Sequence, residues 1–287
     1  MTETPDRHDA AAGPTKPMFD LTGKTVVVTG GSRGIGRGIA RSLLRCNAAV
    51  VISGRDDASL AEARTELSCD GGRVLSVVAD STSREDVDRL VEQAVAFGVG
   101  RVDAWVNNAG SARSGDVGPL IDLTEQQWDA VVDLNLKWSF FAAQAAARVL
   151  GPGGSIVNIS SRSGSQPNPM TGHYGAAKAG LENLTATMAV EWGHLGIRVN
   201  AIAPGIVVTE RSTAPGGTMS TEGRRRRQIE TIPLGRLGTP DDVGALCVYL
   251  ISDASSWMTG EVIQITGGSR VPVGYLTYLY RVNQASQ

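Results

Sequence analysis

Seven short runs rich in β-branched residues recur along the chain, and longer helical patterns fall between them. The runs are KTVVVT from residue 24, AAVVIS from 48, RVLSVVA from 73, VDAWVN from 102, SIVNIS from 155, IRVNAIA from 197 and EVIQIT from 261. Helical patterns occupy 35–45, 57–68, 83–97, 124–149, 174–194 and 240–251. The last of these opens with Pro240 behind Thr239, a first-turn proline behind a hydroxyl cap. Strand and helix in alternation predict βαβ units, because parallel neighbours need a long crossover and the helix supplies it. Strands this uniformly apolar suit a sheet covered on both faces.

The pattern predicts an α/β protein: a single Rossmann-type, doubly wound domain with a seven-stranded parallel sheet and helices on both faces. No linker or internal repeat interrupts the rhythm, so residues 20–270 are expected to be one catalytic domain. Residues 1–19, polar and proline-containing, are expected to be a flexible arm, and residues 271–287 a tail. Residues 206–236 break the pattern and are expected to form a lid over the substrate. Within it, Arg224 to Arg227 would point all round a helix, which predicts a solvated face and not one patch.

A formal net charge of -2 offers no broad basic surface, so nucleic acid is not an expected partner. No run of 18 apolar residues is present to span a membrane. Cys46, Cys69 and Cys247 show no CxxC and the histidines form no cluster, so neither a disulfide framework nor a metal site is expected. Unpaired thiols and a leader without an apolar segment point to a cytoplasmic protein with a small-molecule partner.

TGGSRGIG, residues 29–36, follows the first strand directly and opens the first helix. Glycines in that setting let the backbone approach a pyrophosphate, whose charge is favoured at the helix N-terminus. Gly30, Ser32, Arg33, Gly34, Ile35 and Gly36 are therefore candidate dinucleotide contacts.

Tyr174 and Lys178, in GHYGAAKAG, fall one turn apart on the same face of a helix. Lysine is scarce, four residues against 23 arginines, so its presence here suggests a chemical need. Reducing a ketone requires a proton at oxygen as hydride reaches carbon, and the reverse reaction requires a base, so one group must serve as both. A free phenol, with a pKa of about 10, is about a thousandfold too protonated to be a base at pH 7. An ammonium about 4 Å away would supply about 4 kcal/mol at an effective dielectric near 20, about three pKa units before desolvation opposes it. Lys178 is thus expected to lower the Tyr174 phenol.

The glycine spacing, Thr29-Gly30 then Gly34 and Gly36, together with Tyr174 and Lys178, resembles the short-chain dehydrogenases/reductases. The likeness covers about residues 20–270, including LGRLGTPDDV and MTGEVIQITGG, and extends to 3-oxoacyl reductase-like and polyol dehydrogenase-like members. It implies that Ser161, thirteen residues before Tyr174, holds the substrate oxygen and that Asn135 positions a water in a proton relay. It implies cofactor contacts at Asp80, at Asn107, Ala109 and Gly110 of NNAG, and at Pro204, Gly205, Val207 and Thr209, beside Tyr174 and Lys178 themselves. The residue that selects the cofactor would fall at Gly54, which cannot repel a 2'-phosphate, while Arg33 and Arg55 could flank one. NADP(H) is therefore favoured, with NAD(H) possible, and Asp56 is expected to cap the following helix.

The implied activity is the NADPH-dependent interconversion of a ketone, keto-sugar or 3-oxoacyl compound with a secondary alcohol. A 3-oxoacyl thioester reductase is the near alternative, although Leu195 stands where carrier reductases place an arginine. A catalytically silent NADP(H)-sensing protein is the distant one, opposed by the retention of Asn135, Ser161, Tyr174 and Lys178. Substrate-pocket candidates are Arg113, Ser163, Gln166, Asn168, Met170 and His173. The resemblance implies a homotetramer or homodimer; Trp128 and Trp138 are expected in core or subunit interface, and the tyrosine-rich tail, which departs from the family, is expected to pack on a neighbouring subunit because its aromatics would be costly to expose.

Overall fold

The computed structural model describes residues 17–269 apart from Asp70 and Arg113. Most of the expected arm, the tail and Arg113 therefore lie outside the described residues. All seven runs form strands: β1 Thr25–Thr29, β2 Ala49–Gly54, β3 Val74–Val78, β4 Val102–Asn107, β5 Leu150–Ile159, β6 Arg198–Pro204 and β7 Val262–Ile265. They pair in parallel in the order β3-β2-β1-β4-β5-β6-β7. Chain direction across the sheet reverses between β1 and β4, and that switch point opens the crevice in which such sheets bind ligands.

Alternation along β1 explains why both faces are covered. Val26 and Val28 point into one buried cluster with Ile39, Leu43, Val50 and Ile52, whereas Val27 joins Val51, Trp105, Ala142 and Met188 on the other side. The first cluster is closed by α1 Gly34–Arg45, α2 Asp57–Ser68 and, late in the chain, the helix Pro240–Ile251. The second is closed by α3 Arg84–Phe97 and by the helices that follow β4 and β5.

The pattern expected as one helix over 124–149 is interrupted. It divides into α4 Glu125–Val132, a π-helical turn Asp133–Lys137, and α5 Trp138–Ala147. The Asn135 amide sits inside the turn and donates to Val131 O at 2.9 Å and to Ser111 O at 3.0 Å, so a side chain draws on carbonyls that helix and loop supply. After β5 runs α6 Gly172–Trp192, which carries the tyrosine and lysine pair.

Residues 206–236 are built, with α7 Glu210–Thr213 and α8 Glu222–Ile229 closed over a small cluster of Ile206, Met219, Ile232 and Leu237. Arg224 to Arg227 lie exposed on α8, where Arg226 pairs with Glu230 at i,i+4. The final helix, α9 Pro240–Ile251, begins with the expected cap: Thr239 and Asp242 exchange side-chain and backbone bonds as a capping box. Among the described residues no helix is long and apolar enough to cross a membrane.

Candidate active site

The C-terminal ends of β1, β2, β4, β5 and β6 surround a cleft of about 640 Å³. Gly30, Ser32, Arg33, Gly34 and Ile35 form one wall, with Arg55 and Asp80 beside them, Ala109 and Gly110 at the floor, and Pro204, Gly205 and Thr209 opposite. Gly36 lies beneath the wall and does not line it: a Cβ there would stand 2.2 Å from Gly30 O, so only glycine lets the helix start this close to the loop. At the end of β2, Arg33 and Arg55 flank Gly54 in the lining, and Arg55 reaches Asp80 at 3.9 Å. Asp56 accepts Ser59 N–H at 2.8 Å as the cap of α2, and Ser59, through its hydroxyl and then that N–H, holds the carboxyl below the usual range.

Two expected cofactor contacts fall elsewhere. Asn107 is the last residue of β4 and its side chain turns inward, accepting the Trp105 indole at 2.8 Å and donating to Asn158 Oδ1 at 2.9 Å and Ser139 O at 3.0 Å. Its neighbour Asn108 faces the cleft instead, bonded to Thr29 O and Gly30 O. Val207 packs against the first apolar cluster and bridges Gly238, outside the lining.

Tyr174 and Lys178 both line the cleft from α6. Lys178 is 3% exposed, its Nζ donates to Ile159 O at 2.8 Å, and it lies 5.7 Å from the centroid of the Tyr174 ring. Burial brings the ammonium down to about 8, opposed by Glu182. The Tyr174 phenol is shifted upward by burial, with the Ser161 hydroxyl opposing. That direction is opposite to the expected lowering, because desolvation of the phenol is the largest effect and exceeds the opposing Ser161 bond. Ser161 follows the end of β5 in the lining and accepts Ser163 N–H at 3.1 Å.

Asn135 is fully buried, and its Oδ1 has no hydrogen-bond partner among the described residues. That oxygen and Lys178 Nζ converge on Gly110: a Cβ there would stand 2.6 Å from Oδ1 and 3.3 Å from Nζ. A side chain at Gly110 would collide with this orphaned acceptor and crowd the buried ammonium, so glycine is what fits against the pair. The glycine wall and the guanidiniums of Arg33 and Arg55 in the lining suit a dinucleotide.

Comparison with known proteins agrees with this geometry. The family model described as enoyl-(acyl carrier protein) reductase matches residues 30–270. L-rhamnose 1-dehydrogenase (NAD(P)(+)) of Azotobacter vinelandii is 39% identical over 259 residues, covering 86% of this chain and 97% of that protein. The 3-oxoacyl-[acyl-carrier-protein] reductase FabG of Thermotoga maritima is 36% identical over 250 residues, covering 86% and 98%. A solved short-chain type dehydrogenase/reductase from Mycobacterium marinum superposes with a TM-score of 0.80 at 34% identity, covering 89% of this chain and 98% of that one. The chain is a short-chain dehydrogenase/reductase.

As a member of that family, this dehydrogenase/reductase acts on alcohol or carbonyl groups with a nicotinamide dinucleotide. Among the described residues, those expected in the substrate pocket do not line this cleft. None of Ser163, Gln166, Asn168, Met170 or His173 lines the cleft, and His173 is wholly buried, 6.4 Å from the Trp128 ring. Ser111, Asp116, Ala130, Asp133 and Leu134 line it instead. Glu210 escaped notice too: its Oε2 accepts Gly34 N–H at 3.0 Å, and its other oxygen takes Arg37 Nη2. Its only sequence signal is its place, directly after Thr209 at the start of α7.

Proposed function

We propose that this chain is an NADP(H)-dependent oxidoreductase that interconverts a small ketone or keto-sugar and a secondary alcohol, with Tyr174 as acid and base. The observation that carries the reading is the meeting of Tyr174, Ser161, Lys178 and the orphaned Asn135 oxygen at the strand ends beside the glycine wall. A protein that only sensed a dinucleotide would need the wall but not the proton-handling groups. The bound cofactor supplies or accepts the hydride.

Ser161 holds the substrate oxygen against the Tyr174 hydroxyl, which gives its proton in reduction and takes one in oxidation. With its pKa raised, the phenol is fully protonated at neutral pH, so reduction needs no prior ionisation and oxidation gains as pH rises. Lys178, charged below about pH 8, steadies the phenolate and passes a proton through a water held by Asn135. Arg33 and Arg55 support the choice of NADP(H), since Gly54 between them cannot repel a 2'-phosphate. Asp116 in the lining favours a neutral, hydroxyl-bearing substrate over a phosphate-bearing thioester arm. Residues 206–236 act as the lid of a cytoplasmic homotetramer.

The test follows NADPH and NADH oxidation at 340 nm with a panel of small ketones, keto-sugars and an acetoacetyl thioester, with Tyr174→Phe run in parallel. Turnover that survives in the variant would remove Tyr174 from the chemistry. A thioester as best substrate would overturn the free-carbonyl reading, and NADH as better donor would overturn the phosphate site.

A further inference from the structure

The mechanism requires Lys178 to stay an ammonium, yet burial favours the neutral amine. Glu182, a half-buried acid that the mechanism does not use, stands one turn further along α6 at i+4. Its Oε1 accepts the Ser160 hydroxyl at 2.6 Å, and a Cβ on Gly164 would come within 2.6 Å of the same oxygen. Ser160 is tied in turn, its N–H donating to Ile202 O at 2.7 Å. It directly follows Ile159, whose carbonyl receives Lys178 Nζ. The carboxylate is thus fastened to the same strand end as the lysine.

We propose that Glu182 is a positioning residue for Lys178: its carboxylate, pinned by the Ser160 hydroxyl against Gly164, supplies the counter-charge that keeps the buried ammonium protonated and bound to the Ile159 carbonyl. The inference rests on Lys178 and Tyr174 being the proton-handling pair, and it deepens that reading. Titration tendencies on both sides agree. Burial lowers Lys178 and Glu182 opposes it, while burial raises Glu182 and Ser160 and Lys178 oppose it. The lysine is faced by Tyr174 from its own helix, by Asn135 from the π turn, by Gly110, and by Ile159, Ser160 and Ser161 from the end of β5. None of these brings a charge that shifts it, and among the described residues Glu182 is the charged group that does. Removing the carboxylate must therefore let the lysine lose its proton at lower pH.

The chain has four lysines, so selective ¹³C labelling resolves them, and Lys178→Arg assigns the signal by its loss. Following the Lys178 Cε shift from about pH 6 to 11, Glu182→Gln should lower the midpoint by on the order of one pH unit. In turnover, the same variant should lose about tenfold more activity relative to the parent at high pH than at pH 6, since the fraction of charged lysine falls tenfold per unit. An unmoved midpoint, or an equal loss of activity at every pH, would overturn the proposal. Should the glutamine variant not fold, Ser160→Ala unpins the carboxylate instead: a fall of a few tenths of a unit supports the proposal and no fall overturns it. The titration needs no substrate, so a failure to find turnover would strike the proposed activity and leave this coupling standing.

Discussion

Replacing Glu210 with glutamine should tighten the binding of a nicotinamide dinucleotide. The carboxylate accepts Gly34 N–H at 3.0 Å in the first turn of α1 and pairs with Arg37. Backbone N–H groups at that position are what a helix offers to an anion, so an arriving pyrophosphate meets a carboxylate already bonded there. Two terms then oppose binding: the charge-assisted bond that must yield, and repulsion between like charges. The Glu210 side chain is 55% exposed, so both need discounting for solvent. At about 5 Å in a dielectric near that of water, repulsion comes to about 0.8 kcal/mol per charge, and an exposed ion-pair bond adds up to about 0.5 kcal/mol. The sum of about 1–1.5 kcal/mol is about five- to tenfold in Kd. Calorimetric titration with NADPH at low salt would measure the gain, which should shrink at about 0.5 M salt. Adenosine 2'-phosphate, which has no pyrophosphate, should bind parent and variant alike. If Glu210→Gln binds NADPH as the parent does or more weakly, the carboxylate organises the loop instead of competing for it, and the reasoning fails.

Gly36→Ala should cost at least tenfold in NADPH affinity, because its Cβ would stand 2.2 Å from Gly30 O and must push the glycine wall aside; fluorescence titration checks it, and unchanged binding refutes it. Asn107→Ala strips a buried partner from Trp105, Ser139 and Asn158, so urea denaturation should show a loss of about 2–4 kcal/mol, whereas NADPH affinity of the folded variant should hardly move. Asp242 is held well below the usual carboxylate range by Arg236 and the Thr239 cap. Its contribution is present above an unfolded-state pKa of about 3.9 and is lost as pH falls through the lower folded value. Thermal melts of Asp242→Asn should therefore lie below the parent at pH 7, by about 1–2 kcal/mol, and converge with it towards pH 2.

The sheet could be read from the chain because its strands are local apolar runs, and the central ones β1, β2, β4 and β6 are buried on both faces, so the pattern needs no distant information. The start of α9 was equally legible, since Thr239, Pro240 and Asp242 form a local cap. What escaped the sequence depends on contacts between remote segments. DLNLK carries an ordinary helical pattern, and its π turn arises where the Asn135 amide reaches Ser111, 24 residues away. Asn107 and Asn108 are adjacent and of one type, and which faces the cleft follows from β4 ending at Asn107 with its side chain between Trp105 and Asn158. The Glu210 contact with Gly34 spans 176 residues. The upward shift of Tyr174 depends on how deeply α6 seats it, which spacing on a helix does not encode.

The π turn also sets how the chain can vary in length. Each residue of an α-helix advances the side chains by about 100°. α4 buries Val131 on its own face and α5 buries Ala142, Ala143, Ala145 and Ala146 on its own, and Asp133–Lys137 takes up the phase between them. Deleting one residue there would restore an ordinary helix with both flanks in phase, yet remove the wide turn in which the Asn135 amide reaches Ser111 O, and so carry Asn135 away from Gly110 and Lys178. Insertions and deletions among relatives should therefore collect in the loops at 111–124 and 206–236 and leave this single helical passage at constant length.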